Sequence, residues 1–154
     1  MLKTVDIRKS IQEDILPIAV NMRDEDVKEI WDSNRYSPYK ALVKGIKSRG
    51  SAWTIVVNGI PIGMVGVCRG TLLCSKGTIW LLGTDALVED RKLFLRMSRL
   101  VLKNLSKGFS SLENYVSIEN KCSLRWLIAL GFTIGGDFKS ITGVTFRRFS
   151  KECI

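Results

Sequence analysis

Any acid–base chemistry in this chain has to be done without histidine, of which its 154 residues contain none. Ser-His-Asp and Cys-His catalysis are thereby excluded, because no remaining side chain is both basic and half-deprotonated near neutral pH. A general base must be a carboxylate, a lysine of lowered pKa, or water. The cysteines Cys68, Cys74, Cys122 and Cys153 form no C-x-x-C pair. Without histidine a zinc site has almost no ligands, so they read as reduced, small apolar residues. Gly83 ends the apolar run Ile79-Trp80-Leu81-Leu82. Lacking a Cβ, it either lets a ligand approach the backbone or simply closes a strand before a turn. Asn120 follows the strand-like Leu112 to Ile118 and opens a short helix, where asparagine is a good N-cap.

Charge narrows the class of partner. The net charge is +9, yet Met1 to Ser33 holds five Lys/Arg against eight Asp/Glu, so that stretch carries −3 and the remainder +12. Such a field favours anions, whether a cofactor phosphate, nucleic acid or an acidic protein. Between about Glu89 and Lys107, Lys92, Arg96, Arg99, Lys103 and Lys107 recur at spacings of four, three, four and four. Leu93, Met97, Leu100, Val101 and Leu105 are expected on the opposite side, giving a helix with one basic stripe and one core face. The stripe is either a solvated face, a hold for a phosphate at Arg91 or Lys92, or a contact for nucleic acid along its length.

These residues need elements to position them. Alternation over Thr4 to Arg8 predicts a first strand, and Ser10 with Glu13 predicts a capping box that starts a helix divided or kinked at Pro17. A second helix carries Val27, Ile30 and Trp31, with Asp24, Glu25 and Asp26 at its front, where the dipole favours negative charge. Ser37-Pro38 opens a third, basic helix that stops before Gly50. Asn58-Gly59 joins two apolar strands as a type I′ hairpin. Thr78 to Leu82 is a buried strand, the basic helix stops at Gly108, and Phe132 to Phe138 and Val144 to Phe149 are the last strands, linked through Gly143. The whole chain, 1–154, reads as one mixed α/β domain with a curved sheet and helices on both faces. No segment has the apolar run of a membrane helix, and the start lacks a signal-peptide pattern, so an intracellular protein is expected.

The strand Leu112 to Ile118, Asn120, the helix through Trp126 and Leu127, and Leu130-Gly131-Phe132 together resemble the last β-α-β unit of the GNAT acyltransferase superfamily. The order of elements resembles that fold over nearly the whole chain. A narrower resemblance rests on Trp80-Leu-Leu-Gly-Thr-Asp85, Phe94-Leu-Arg-Met-Ser-Arg99, Asn114-Tyr-Val116, Asn120 through Trp126-Leu127 to Leu130-Gly131-Phe132, and Asn21 to Asp26. These segments are similar to the GNAT-like internal core proteins of podoviruses, implicated in virion morphogenesis. That resemblance implies a phage protein acting in the infected bacterial cytoplasm or in the particle.

The superfamily resemblance implies that two parallel strands splay and that the pantetheine arm of acetyl-CoA enters the gap. Cofactor contacts are then expected at Leu82, Gly83 and Thr84 on the first strand, at Arg91 and Lys92 beside the pyrophosphate, and at Asn120, Ser123 and Trp126 in the last unit. Asp85, Glu119 and Glu25 are the candidate bases for the acceptor amine, and a backbone N–H near Leu82 to Thr84 would stabilise the oxyanion. Two family features are missing. The loop Asp85 to Lys92 has no glycine and carries Glu89 and Asp90, which repel a diphosphate. Leu127 stands where the family's thiolate-protonating tyrosine falls, leaving Tyr115, Ser123 or water for that step. The implied activity is N-acetylation of an unknown small-molecule or protein amine. The alternative is a GNAT-fold assembly or interaction protein, with a phage or host protein partner and no catalysis. A nucleic-acid binder ranks third, since no aromatic-basic interleaving suited to stacking is present.

Overall fold

The structure, a computed structural model, describes residues 3–71 and 73–153. Its elements are β1 (Val5–Lys9), α1 (Ile15–Val20), α2 (Asp24–Asn34), α3 (Pro38–Lys47), β2 (Gly50–Val57), β3 (Ile60–Arg69) and β4 (Lys76–Gly83), then α4 (Arg91–Leu105), β5 (Ser111–Ser117), α5 (Lys121–Ala129), β6 (Thr133–Lys139) and β7 (Thr145–Glu152). Single 3-10 turns precede α1 at Gln12–Asp14 and α4 at Asp85–Leu87. The strands form one seven-stranded sheet in the order β1-β2-β3-β4-β5-β7-β6. Among the described residues only the central β4–β5 pair is parallel. Among the described residues no helix is long and apolar enough to cross a membrane.

Local chemistry sets most of these boundaries. Asn58 and Gly59 both take positive φ, 51° and 78°, as a type I′ turn between β2 and β3 requires. Ser37 Oγ accepts the Lys40 N–H at 3.2 Å, and Pro38 takes the first helical position of α3, where its missing N–H costs nothing. Alternation along the strands divides the core into two layers. Met64, Trp80 and Leu82 pack with Ile18, Ile30 and Leu42 beneath α1 to α3. Val65, Val67, Ile79 and Leu81 pack on the other face with Val101, Leu105 and Leu112 beneath α4 and α5.

Three expectations need correction. The Ser10–Glu13 capping box does not form, because Ser10 Oγ bonds Thr54 Oγ1 at 2.8 Å and the carboxylate that returns to the chain is Asp14, accepting the Ile11 N–H at 3.0 Å. Asp14 is buried and also receives both terminal nitrogens of Arg8 at 2.8 Å and the Thr54 hydroxyl at 2.7 Å. Burial alone would raise its pKa, but these donors outweigh it and hold the carboxyl below its usual range. Trp31 and Leu100, expected in the core, are 54% and 59% exposed. Leu100 lies four residues after Arg96 and three before Lys103, so it shares their outward face, and α2 turns Asp26 and Ile30 inward instead. Pro17 is accommodated in the first turn of α1, and the break in the helix falls at Asn21 to Arg23.

The indole of Trp80 is held between two backbones that come close only because they lack side chains. A Cβ on Gly45 or Gly66 would stand 2.6 Å from its ring, and on Gly66 also 2.5 Å from the Ser51 carbonyl oxygen. Gly66→Ala is therefore expected to lower the unfolding free energy by about 1–3 kcal/mol. Urea denaturation checks this, and an unchanged midpoint would show that the sheet yields at this point.

Candidate active site

β4 and β5 pair only through Lys76↔Ser111, Gly77↔Leu112 and Thr78↔Glu113. Beyond that point each follows its outer neighbour, β4 staying paired with β3 to Gly83 and β5 with β7 to Ser117. The last tie between the two strands is a side chain, Asn114 Nδ2 donating to the Ile79 carbonyl at 2.7 Å. Past it opens a cavity of about 820 Å³ that passes through the sheet. Trp80, Leu82 and Tyr36 line it on the α1 to α3 side, and Met97, Leu127 and Phe149 on the α4 to α5 side. Its size and mostly apolar lining are those of a small-molecule site.

Helix α2 spans the far ends of the gap. Asp26 Oδ2 accepts the Gly83 N–H at 3.0 Å, and the Arg23 N–H donates to the Gly83 carbonyl at 2.9 Å. One turn later Glu29 accepts the Ser117 N–H at 2.6 Å through one oxygen and Asn120 Nδ2 at 3.4 Å through the other. A spacing of three puts both carboxylates on one helix face. Beside Asp26 the Arg23 guanidinium, 4% exposed, lies 3.6 Å from Asp26 and 3.2 Å from Glu25. It also lies 4.9 Å over the Trp126 ring, which is tilted against Phe94.

Burial pushes the Asp26 carboxyl up to about 6, against the pull of Arg23 and the Gly83 N–H and with added repulsion from Glu25 and Asp85. Burial likewise pushes Glu29 up to about 7, opposed by the Ser117 N–H and reinforced by the charge of Asp26. The guanidinium sits against Asp26, so the pair titrates unevenly: Asp26 loses its proton first, and Glu29 exchanges its own near neutrality.

Residues 79, 81 and 83 turn their main-chain groups toward the gap, since the Ile79 carbonyl meets Asn114 and both Gly83 groups meet α2. Leu81 lies between them, beyond the last β4–β5 pair, with its N–H and C=O directed into the opening. The N–H groups expected to meet a ligand oxygen are already engaged, Gly83 with Asp26 and Thr84 with the Ile62 carbonyl at 2.9 Å. The space that Gly83 leaves is filled by Leu87, whose Cδ2 would lie 2.4 Å from a Cβ there.

Leu82, Tyr115, Ser123 and Trp126 are brought together around the cavity. Tyr115 is 46% exposed and packs its ring 5.0 Å from that of Phe138. Asn120 is buried and caps α5 by accepting the Ser123 N–H at 3.2 Å. Asp85 and Glu119 stand apart in a second hollow of about 400 Å³ that shares only Arg23 with the cavity, and Glu119 pairs with Lys28 at 2.7 Å. Arg91 and Lys92 are exposed at the start of α4, where Asp90 accepts the Leu93 N–H at 3.1 Å. Sequence reasoning missed Arg23 and Glu29 and took Asp26 for a dipole charge. The signal was the interleaving of Asp26 and Glu29 with Val27 and Ile30, which puts acids on the face that the apolar residues assign to the core.

No family model matches this chain, and no curated protein does. Solved structures do. A GNAT-family acetyltransferase from Streptococcus pneumoniae is similar with a TM-score of 0.68 at 14% identity, over 98% of this chain and 100% of that one. The ribosomal-protein-S18-alanine N-acetyltransferase of Escherichia coli gives 0.72 at 13% identity, over 97% and 94%. A variant of the spermidine N-acetyltransferase SpeG from Vibrio cholerae gives 0.71 at 11%, over 96% and 93%. At these identities the likeness is one of fold, and the fold is that of the GNAT acetyltransferases: a single mixed α/β domain on a seven-stranded sheet.

Both raised carboxyls bind protons in the folded chain that the unfolded chain has already lost. Stability is therefore expected to fall as pH rises from about 4 to 7, by on the order of 2–3 kcal/mol per group. Urea midpoints at pH 5 and pH 8 test this. Glu29→Gln, similar in shape and uncharged, is expected to flatten the slope, and an unaltered slope would show that Glu29 is ionised throughout.

Proposed function

We propose that this chain is an acetyl-CoA-dependent N-acetyltransferase whose reaction takes place in the gap between β4 and β5. The observation that carries the reading is the cavity through the sheet, with the unpaired Leu81 main chain on one side and Glu29 at its end. The similarity in fold to acetyltransferases of three bacteria supports it. The cavity's apolar lining suits a pantetheine arm, with Arg91 and Lys92 the cations available to its phosphates. When bound, acetyl-CoA supplies the acetyl group as a thioester.

The chain's own groups then have distinct tasks. The Leu81 N–H donates to the oxygen on which negative charge grows, in a site shielded from water. Glu29 receives the proton of the attacking amine, for which a carboxyl titrating near 7 is well matched at physiological pH. As the C–N bond forms and the C–S bond breaks, a hydroxyl lining the cavity, Ser123 or Tyr115, or water returns a proton to sulfur. The resemblance of the Trp80, Phe94 and Asn114 segments to podovirus core proteins supports an acceptor in the infected bacterium or the particle.

A second reading keeps the fold without the chemistry. Asp90 occupies the position at the start of α4 where a diphosphate would accept main-chain N–H groups, and no glycine opens that loop. Calorimetric titration separates the two. Acetyl-CoA is expected to bind with a micromolar Kd, and Ser123→Phe, which fills the cavity, to weaken it at least about tenfold without lowering Tm. Absence of heat at millimolar ligand would leave only the non-catalytic reading. Glu29→Gln is expected to lower kcat by about 10²–10⁴ with binding retained, whereas equal turnover would remove Glu29 from the mechanism.

A further inference from the structure

The helices on one face of the sheet mix their charges, α2 with Asp24, Glu25, Asp26, Glu29 and Asp32 beside Lys28, and α3 with Lys40, Lys44 and Lys47. On the other face, Arg91–Leu105 and Lys121–Ala129 contain no Asp or Glu at all. Arg96, Arg99 and Lys103 of α4 are all exposed, Lys107 continues their line just past the helix, and Arg125 of α5 lies exposed on the same side of the sheet. None of these cations takes part in an ion pair among the described residues. The exposed Leu100 sits among them without disturbing the sign of the surface.

Position separates this surface from the candidate active site. α4 starts beside the open end of the gap and runs back toward the start of β5, where β4 and β5 are fully paired. Over its 15 residues it covers roughly 22 Å. Arg99, Lys103 and Lys107 therefore lie progressively farther from the opening, beyond what Arg91 and Lys92 would hold.

We infer that the outer face of α4, from Arg96 to Lys107, is a docking surface for the phosphate backbone of double-stranded nucleic acid. A rigid row of unpaired cations at intervals of one helical turn meets a polyanion without an internal competitor. Duplex is favoured over single strand because the aromatic rings of these helices, Phe94 and Trp126, are buried against each other and offer no stacking platform. Contacts of this kind fix no base sequence.

The test is fluorescence anisotropy with a labelled random-sequence DNA duplex of about 20 base pairs, read against salt. Four to five phosphate contacts are expected to give a slope of log K against log salt of about −4. R96E/R99E/K103E is expected to lose at least about tenfold in affinity and about half the slope, while acetyl-CoA titration is unchanged. Should that variant melt early, R96Q/R99Q tests the same surface with less repulsion. The inference is overturned by no binding at about 50 mM salt, by a flat salt response, by variants that bind like the parent, or by polyglutamate binding as tightly as DNA.

Discussion

The structure depends on one helix holding two strands apart by their ends. Parallel strands that share a pairing edge gain hydrogen bonds by closing, and β4 and β5 close for only three residue pairs. Beyond them the main-chain donors at Gly83 and Ser117 would be left unsatisfied, and a buried N–H without a partner is costly. Asp26 and Glu29 remove that cost by accepting one donor each. The opening is thus a hydrogen-bonded arrangement with α2 as a third partner, and its width follows from the reach of two carboxylates on successive turns.

The same helix gathers distant parts of the chain. Its first turn ties β4 through Arg23 and Asp26, its middle ties β5 and the cap of α5 through Glu29, and its end receives Thr142 of the β6–β7 hairpin on the Asp32 carbonyl at 2.7 Å. Lys28 bridges Asp32 at 2.6 Å to Glu119 at 2.7 Å on the outer surface. Concentrating acids here has an electrostatic consequence. Arg23 balances part of the charge at Asp26, while burial, reinforced by the charge of Asp26, raises the Glu29 carboxyl to about 7.

How much of this was legible in the sequence follows from how local each signal is. The Asn58-Gly59 turn and the Ser37 cap act over a few residues, and they placed β2, β3 and the start of α3 closely, whereas the first helix, read from Ser10, starts only at Ile15 and the last strand, read to Phe149, runs to Glu152. The splay was expected from resemblance alone, because strand separation has no local sequence mark. Asp85 and Glu119 were chosen by nearness in sequence to the strand ends, yet they point outward into the second hollow. The groups that reach the ends come from α2, more than fifty residues before either strand end. Only the clash between charge and apolar period on α2 pointed to them, and dipole stabilisation explains acids in a first turn just as well. Leu100 shows the converse, an apolar residue whose helical phase matches the basic row better than the core.

The point at which β4 and β5 part is marked by the Asn114 carboxamide reaching across to the Ile79 carbonyl. The final rung of the ladder is therefore amide chemistry borrowed from a side chain, not from the peptide backbone. Cleft depth in this protein is thus bounded by a side chain, with Thr78 and Glu113 the last backbone pair behind it.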